Sequence, residues 1–197
     1  MTDAAAAPPN DGFDALELLV HDRRSNVRID TSIPLDPTIV DRLLGMAAAA
    51  PCHKRTYPWR FAVVTDEGRA GLGEALAADL TEWGDPEAKI TKARTKYLRA
   101  PVMVVVASRP GTSPTMTLEN RDATCAAIQN ILLGATALGL ASLWSTGPAT
   151  ISGRVKEFCG FDADDVTVGL VYLGWPLGAP EGGERPEPEI IRISTAS

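Results

Sequence analysis

The chain has 197 residues, 45% of them hydrophobic and 22% charged, which suits one domain with an ordinary core. Its formal charge of −6 argues against a nucleic-acid face, and no stretch reaches the ~18 uninterrupted apolar residues of a membrane span. Cys52, Cys125 and Cys159 show no CxxC spacing and His21 and His53 are the only histidines, which argues against a disulfide framework or a metal centre. Residues 1–12 lack the basic and apolar regions of a secretory signal. They are expected to form a short disordered arm, with the cytoplasm as the default location.

Residues 13–24 place Phe13, Leu16, Leu19 and Val20 on one helical stripe. Asp36 and Pro37 read as the N-cap and first residue of a second helix, which runs through Ile39, Leu43 and Leu44 to an alanine run ending at Pro51. Residues 60–65 read as a strand, 66–83 and 85–99 as two helices, the second charged. PVMVVVAS (101–108) is a continuous apolar run of the fully buried strand type. A loop at Pro110, Gly111 and Pro114 precedes a long helix over 117–138, rich in Ala, Gly and Thr and therefore suited to close packing on a neighbouring helix. A strand at 141–145, a helix near 152–158 and a strand at 166–175 follow. The pattern is α+β, with long helices around a sheet of four short strands. The Pro/Gly-rich end carries Ile190, Ile191 and Ile193, an apolar patch expected to lie across a partner subunit. The division is then an arm (1–12), a domain (13–180) and a C-terminal arm (181–197).

Three stretches carry candidate chemistry. Arg23-Arg24-Ser25 pairs two guanidiniums with a hydroxyl, suited to a phosphate or polarised carbonyl and equally to a helix C-terminal cap. Residues 50–61 form a basic loop between Pro51 and Pro58, ending in Trp59. It can hold a ring ligand or simply connect helix to strand, and no Cys-His-acid triad can be defended from Cys52 and His53. Residues 139–147 flank Trp144 with small and hydroxyl residues, suited to a flat ligand or to a plain buried strand. The clusters Arg23, Arg24, Arg28 and Lys54, Arg55, Arg60 in an acidic chain suggest a small anionic ligand. No GxGxxG fingerprint or P-loop is present.

In this order, DALELLVHDRRSNVR (14–28), AAAAPCHKRTYPWRFAVVT (47–65), RAPVMVVVAS (99–108), ENRDATCAAIQNILLGATALGLASLWST (119–146) and VGLVYLGWP (168–176) resemble the nitroreductase family, notably its short bacterial branch. The resemblance implies an α/β sandwich with a central sheet flanked by helices, forming an intertwined homodimer with FMN at the interface. It implies that Arg23, Arg24 and Ser25 hold the ribityl phosphate and pyrimidine edge, and that His53 reaches the partner's FMN. It implies that Trp144, Ser145 and Thr146 line the flavin. Ala49 would lie at the cofactor, and Gly134 to Gly139 near the nicotinamide side. Larger members add a C-terminal basic pair on the phosphate, for which Arg192 is the candidate here. The implied activity is ping-pong reduction of nitroaromatics or quinones with NADH or NADPH, by hydride transfer between stacked rings without a side-chain acid or base. An FMN-storing protein, or a same-fold enzyme of flavin or deazaflavin metabolism, is the alternative.

Overall fold

The computed structural model describes residues 11–180 and 182–193. Residues 1–10 of the expected N-terminal arm lie outside the described residues, while Asp11 and Gly12 open the first helix. Among the described residues six α-helices and five strands follow one another as α1 (Asp11–Asp22), β1 (Ile29–Asp30), α2 (Pro37–Ala48), β2 (Trp59–Thr65), α3 (Gly68–Glu82), α4 (Glu87–Lys96), β3 (Val102–Ser108), α5 (Pro114–Ala137), β4 (Ala141–Ser145), α6 (Gly153–Phe158) and β5 (Val166–Pro176). Among the described residues no helix is long and apolar enough to cross a membrane.

The strands form one antiparallel sheet in the order β1-β5-β3-β2, with β4 also paired to β5. Five strands stand where four were expected. The addition is β1, whose two residues are too few to carry a period, and β5 is long, at 11 residues.

All seven residues of β3 are buried, because both faces of the sheet are covered. Met103, Val105 and Ala107 face a core built with α3, α4 and α6, while Val102, Val104 and Val106 face a core built with α2 and α5. The result is an α+β sandwich with helices on both sides of a central sheet.

Local chemistry fixes the helix starts. Asp36 caps α2, its Oδ1 accepting from the Thr38 N–H at 2.8 Å with Pro37 in the first turn. Ser113 caps α5 in the same way, with Pro114 next, so this helix begins three residues earlier than a reading that places Pro114 in a loop. The small residues of α5 do allow close packing. A Cβ on Gly134 would meet Leu43 Cδ2 of α2 at 2.7 Å and Met46 Sδ at 2.8 Å. The Asn130 side chain then donates to the Met46 carbonyl at 3.0 Å.

Candidate functional site

The segment after α1 has no regular structure of its own and is positioned by Asn26, which is buried. Its backbone N–H donates to the Ser142 carbonyl of β4 at 2.9 Å, and its side-chain amide donates to the Gly178 carbonyl beyond β5 at 3.1 Å. Its Oδ1 accepts from the Arg28 N–H at 2.9 Å. Arg23, Arg24 and Ser25 are thus presented from a turn tied to two strands. Sequence reading passes over Asn26, since a single asparagine in a loop has no pattern to announce it.

A third guanidinium joins this corner. Arg185, from the C-terminal segment, donates to the His21 carbonyl at 3.0 Å and to the Arg23 carbonyl at 2.6 Å. Arg24 donates to the same two carbonyls, that of Arg23 at 3.0 Å. These are end groups of α1, where cations are favoured. Among the described residues none of the three arginines has a carboxylate within ion-pair distance. Burial first, and then the charges of Arg185 and Arg24, hold the Arg23 pKa below its usual value. Three adjacent cations without an anion match a phosphate in charge and donor number. The C-terminal partner at this corner is Arg185; Arg192 is exposed.

Beside the corner lies a cavity of about 340 Å³ lined by Arg24, Asn26, Thr136, Gly139 and Gly178 among others. Gly139 ends α5 with φ of 73°, a left-handed conformation that glycine adopts without strain. Arg24 and Gly139 are therefore brought together. Gly134 lies apart from them, buried in the α2–α5 contact.

Trp144 and Ser145 occupy the far end of β4, and Thr146 follows directly after it. The Trp144 indole lies over Gly169 of β5, where a Cβ would overlap its Nε1, and this buried N–H has no partner. Ala49 is the C-cap of α2 and exposed. His53, Lys54 and Arg55 form a single 3-10 turn, all exposed. Lys54, Arg55 and Tyr57 have φ of 52°, 54° and 44°. Non-glycine residues in this region cost about 1–3 kcal/mol each, so surrounding contacts must hold the loop. The second basic cluster is smaller than its sequence suggests. Arg60 is held by Asp162 at 2.6 Å and Asp165 at 2.5 Å and lies over the Phe161 ring, which leaves Lys54 and Arg55 without ion pairs among the described residues.

The sheet register separates these groups within one chain. The arginine corner is tied to Ser142, opposite Leu173 of β5. The His53 loop enters β2 at Trp59, opposite Ser108, itself opposite Val166. Val166 and Leu173 are seven residues apart on one strand, roughly 20 Å.

A model of the nitroreductase family matches residues 20–175. The chain belongs to the nitroreductase family. It is 33% identical over 165 residues to "Putative NAD(P)H nitroreductase YdjA" of Escherichia coli strain K12, covering 83% of this chain and 89% of that protein. It is 29% identical over 206 residues to the 5,6-dimethylbenzimidazole synthase of Rhodospirillum rubrum, covering 95% and 90%. Among solved structures, a nitroreductase-like family protein from Bacillus cereus aligns with a TM-score of 0.75 at 28% identity, over 95% of this chain and 99% of that one. A nitroreductase with bound FMN from Bacteroides fragilis aligns with a TM-score of 0.74 at 20% identity, over 95% and 100%, and shares the fold.

Proposed function

We propose that the protein is an FMN-dependent NAD(P)H oxidoreductase acting on nitroaromatics or quinones, working as a homodimer with two sites shared between subunits. The observation that carries this reading is the corner of Arg23, Arg24 and Arg185, three guanidiniums with no carboxylate within ion-pair distance among the described residues, opening beside a cavity lined by Asp22, Gly139 and Gly178 among others. The donor set fits a phosphate monoester, and the small residues leave room for a flat ring system. FMN is bound in the family relative from Bacteroides fragilis, and NAD(P)H is named for YdjA. FMN, when bound, supplies the redox chemistry by which electrons pass from donor to oxidant.

The chain's own residues bind and orient. Arg23, Arg24 and Arg185 fix the phosphate end, and Ser25 adds an exposed hydroxyl beside them. Trp144, Ser145 and Thr146 form a wall for the ring. Positive charge near the ring would favour the reduced, more anionic form of the cofactor. His53 belongs to the partner's site in this reading, because its loop and the arginine corner of its own chain are anchored at points seven residues apart along β5, roughly 20 Å. Beyond Arg185, the C-terminal arm of residues 181–197 lies across the partner in this reading, residue 181 and residues 194–197 being outside the described residues. Ala49, Gly134 and Gly139 complete the proposed set, Gly134 through helix packing.

The test is anaerobic addition of NADH, then NADPH, to the purified yellow protein. Bleaching of the flavin absorbance, recovery on adding a quinone or nitroaromatic, and parallel-line kinetics are expected. Reduction by dithionite but by neither nicotinamide would overturn the donor assignment. A relative named for another activity, 5,6-dimethylbenzimidazole synthase, favours the second reading of a same-fold enzyme with a different task, here one of flavin metabolism that consumes flavin rather than recycling it. Chromatography of the cofactor after many turnovers separates the two: intact FMN supports the reductase, fragmented flavin the alternative.

A further inference from the structure

Asn120 lies on the second turn of α5, 4% exposed, and its side chain makes two hydrogen bonds to different segments. Its Oδ1 accepts from the Thr56 hydroxyl at 2.8 Å, and its Nδ2 donates to the Arg109 carbonyl at 3.1 Å. The Arg109 N–H in turn donates to the Pro58 carbonyl at 2.8 Å. These contacts close a ring: Thr56 to Asn120 to Arg109 to Pro58. The two ends of the ring grip the basic loop on either side of Tyr57, one of its three left-handed residues. Lys54 and Arg55, the other two, stand immediately before the grip, exposed and without ion pairs among the described residues. Pro58 is buried, and Tyr57 sets its ring edge-on against Trp59 at 5.9 Å, so the downstream end is anchored to the sheet.

We propose that Asn120 is a positioning residue that holds Lys54, Arg55 and Tyr57 in their left-handed conformation and thereby sets how His53, Lys54 and Arg55 are presented to a ligand. An asparagine suits the place because one buried side chain must accept from a hydroxyl and donate to a carbonyl at once. Aspartate keeps the acceptor and loses the donor. Leucine loses both. The consequence for activity rests on the reductase reading above: the loop contributes to the donor-binding side of the partner's site. Loosening it raises KM for the nicotinamide donor more than it lowers kcat, and it weakens FMN binding less than loss of an arginine at the corner does.

The experiment joins limited trypsin digestion to steady-state kinetics of the full chain. Lys54 and Arg55 are themselves tryptic sites inside the clamped loop, and the wild-type chain digested in parallel is the reference. In Asn120→Leu and, separately, Thr56→Val, cleavage after Lys54 and Arg55 is expected to accelerate roughly tenfold over the wild type, about the effect of one lost hydrogen bond. Thr56→Ser restores the hydroxyl and the wild-type rate. The double variant is expected to equal Asn120→Leu, because that substitution already removes the link that Thr56→Val removes. Should Asn120→Leu be poorly folded, Thr56→Val carries the test, since Thr56 is only half-buried. Unchanged cleavage at the loop in a folded Thr56→Val variant overturns the clamp. Accelerated cleavage with an unchanged donor KM keeps the clamp and overturns the loop's place at the donor site. A chain that never binds FMN overturns the reductase reading while the digestion still decides the clamp.

Discussion

Arginine side chains gathered without carboxylates repel one another, and the cost falls when an anion joins them. Arg23, Arg24 and Arg185 are in this condition, and the Arg23 pKa is lowered by burial and by its two neighbours. Arg23→Ala or Arg185→Ala is therefore expected to weaken FMN binding by about 10–100-fold, the loss of one charge-assisted hydrogen bond of roughly 1.5–3 kcal/mol. Titration followed by flavin fluorescence measures it, with riboflavin as control. Without a phosphate, riboflavin should bind the variants and the wild type alike, and a parallel loss for both ligands would remove the phosphate assignment. The adjacent Arg23-Arg24-Ser25 could be read directly from sequence. Arg185 could not, since its contact to the Arg23 carbonyl spans 162 positions and its surroundings are Gly, Pro and Glu. Asn26 and Asn120 were equally hidden, because a single buried amide carries no periodicity and its worth depends on which carbonyls tertiary folding brings to it.

Elements announce themselves when their chemistry is local. The Asp36-Pro37 start of α2 and the all-apolar β3 were legible because an N-cap and a buried run are properties of neighbours in sequence. The two-residue β1 was not, because only pairing with Trp175 and Pro176 makes it a strand. Close approaches between elements yield two predictions. Gly169→Ala places a methyl where the Trp144 indole nitrogen lies. It should cost about 1–3 kcal/mol, as overpacking does, and expose Trp144, visible as a red shift in tryptophan emission. An unshifted spectrum at unchanged stability would mean that the indole has another resting place. The second concerns α3 and α6, linked through buried Asp79. Its carboxylate accepts from Ser152 Oγ at 2.5 Å, from the Arg154 N–H at 3.1 Å and from the Arg154 guanidinium. Burial alone would raise its pKa, but these hydrogen bonds and the Arg154 charge hold it below the ordinary carboxylate value. A carboxyl whose folded pKa is depressed contributes its stability above the unfolded value, about 3.9, and loses it as pH falls through the lower folded value. Asp79→Asn should therefore be less stable than wild type by roughly 1–3 kcal/mol at pH 7, with the gap closing below about pH 4. Denaturant melts at pH 7 and pH 3 measure it, and a gap independent of pH would assign the loss to packing.

At the scale of the whole molecule, one chain leaves apolar surface uncovered. No residue of α1 is buried, although Phe13, Leu16, Leu18 and Val20 lie on it, and Ile190, Ile191 and Ile193 are exposed at 58%, 78% and 91%. A second copy is the economical cover, and light scattering is expected to give about twice the 20.9 kDa chain mass. The composite site sets a sharper test than mass alone. If the arginine corner of one subunit works with the His53 loop of the other, a subunit lacking Arg23 and Arg24 and a subunit lacking His53 and Lys54 are each inactive as homodimers. In a mixed dimer, one site collects both lesions and the other collects none. Random pairing of equal amounts then returns roughly a quarter of the wild-type number of sites, by the statistics of an isologous dimer. Co-refolding the two variants and measuring NAD(P)H-driven quinone reduction reads this directly. Recovery of activity on mixing, absent when either variant is refolded alone, is expected. Mixed protein that dimerises and binds FMN but stays as inactive as its parents would place all the residues in one chain and remove the shared site.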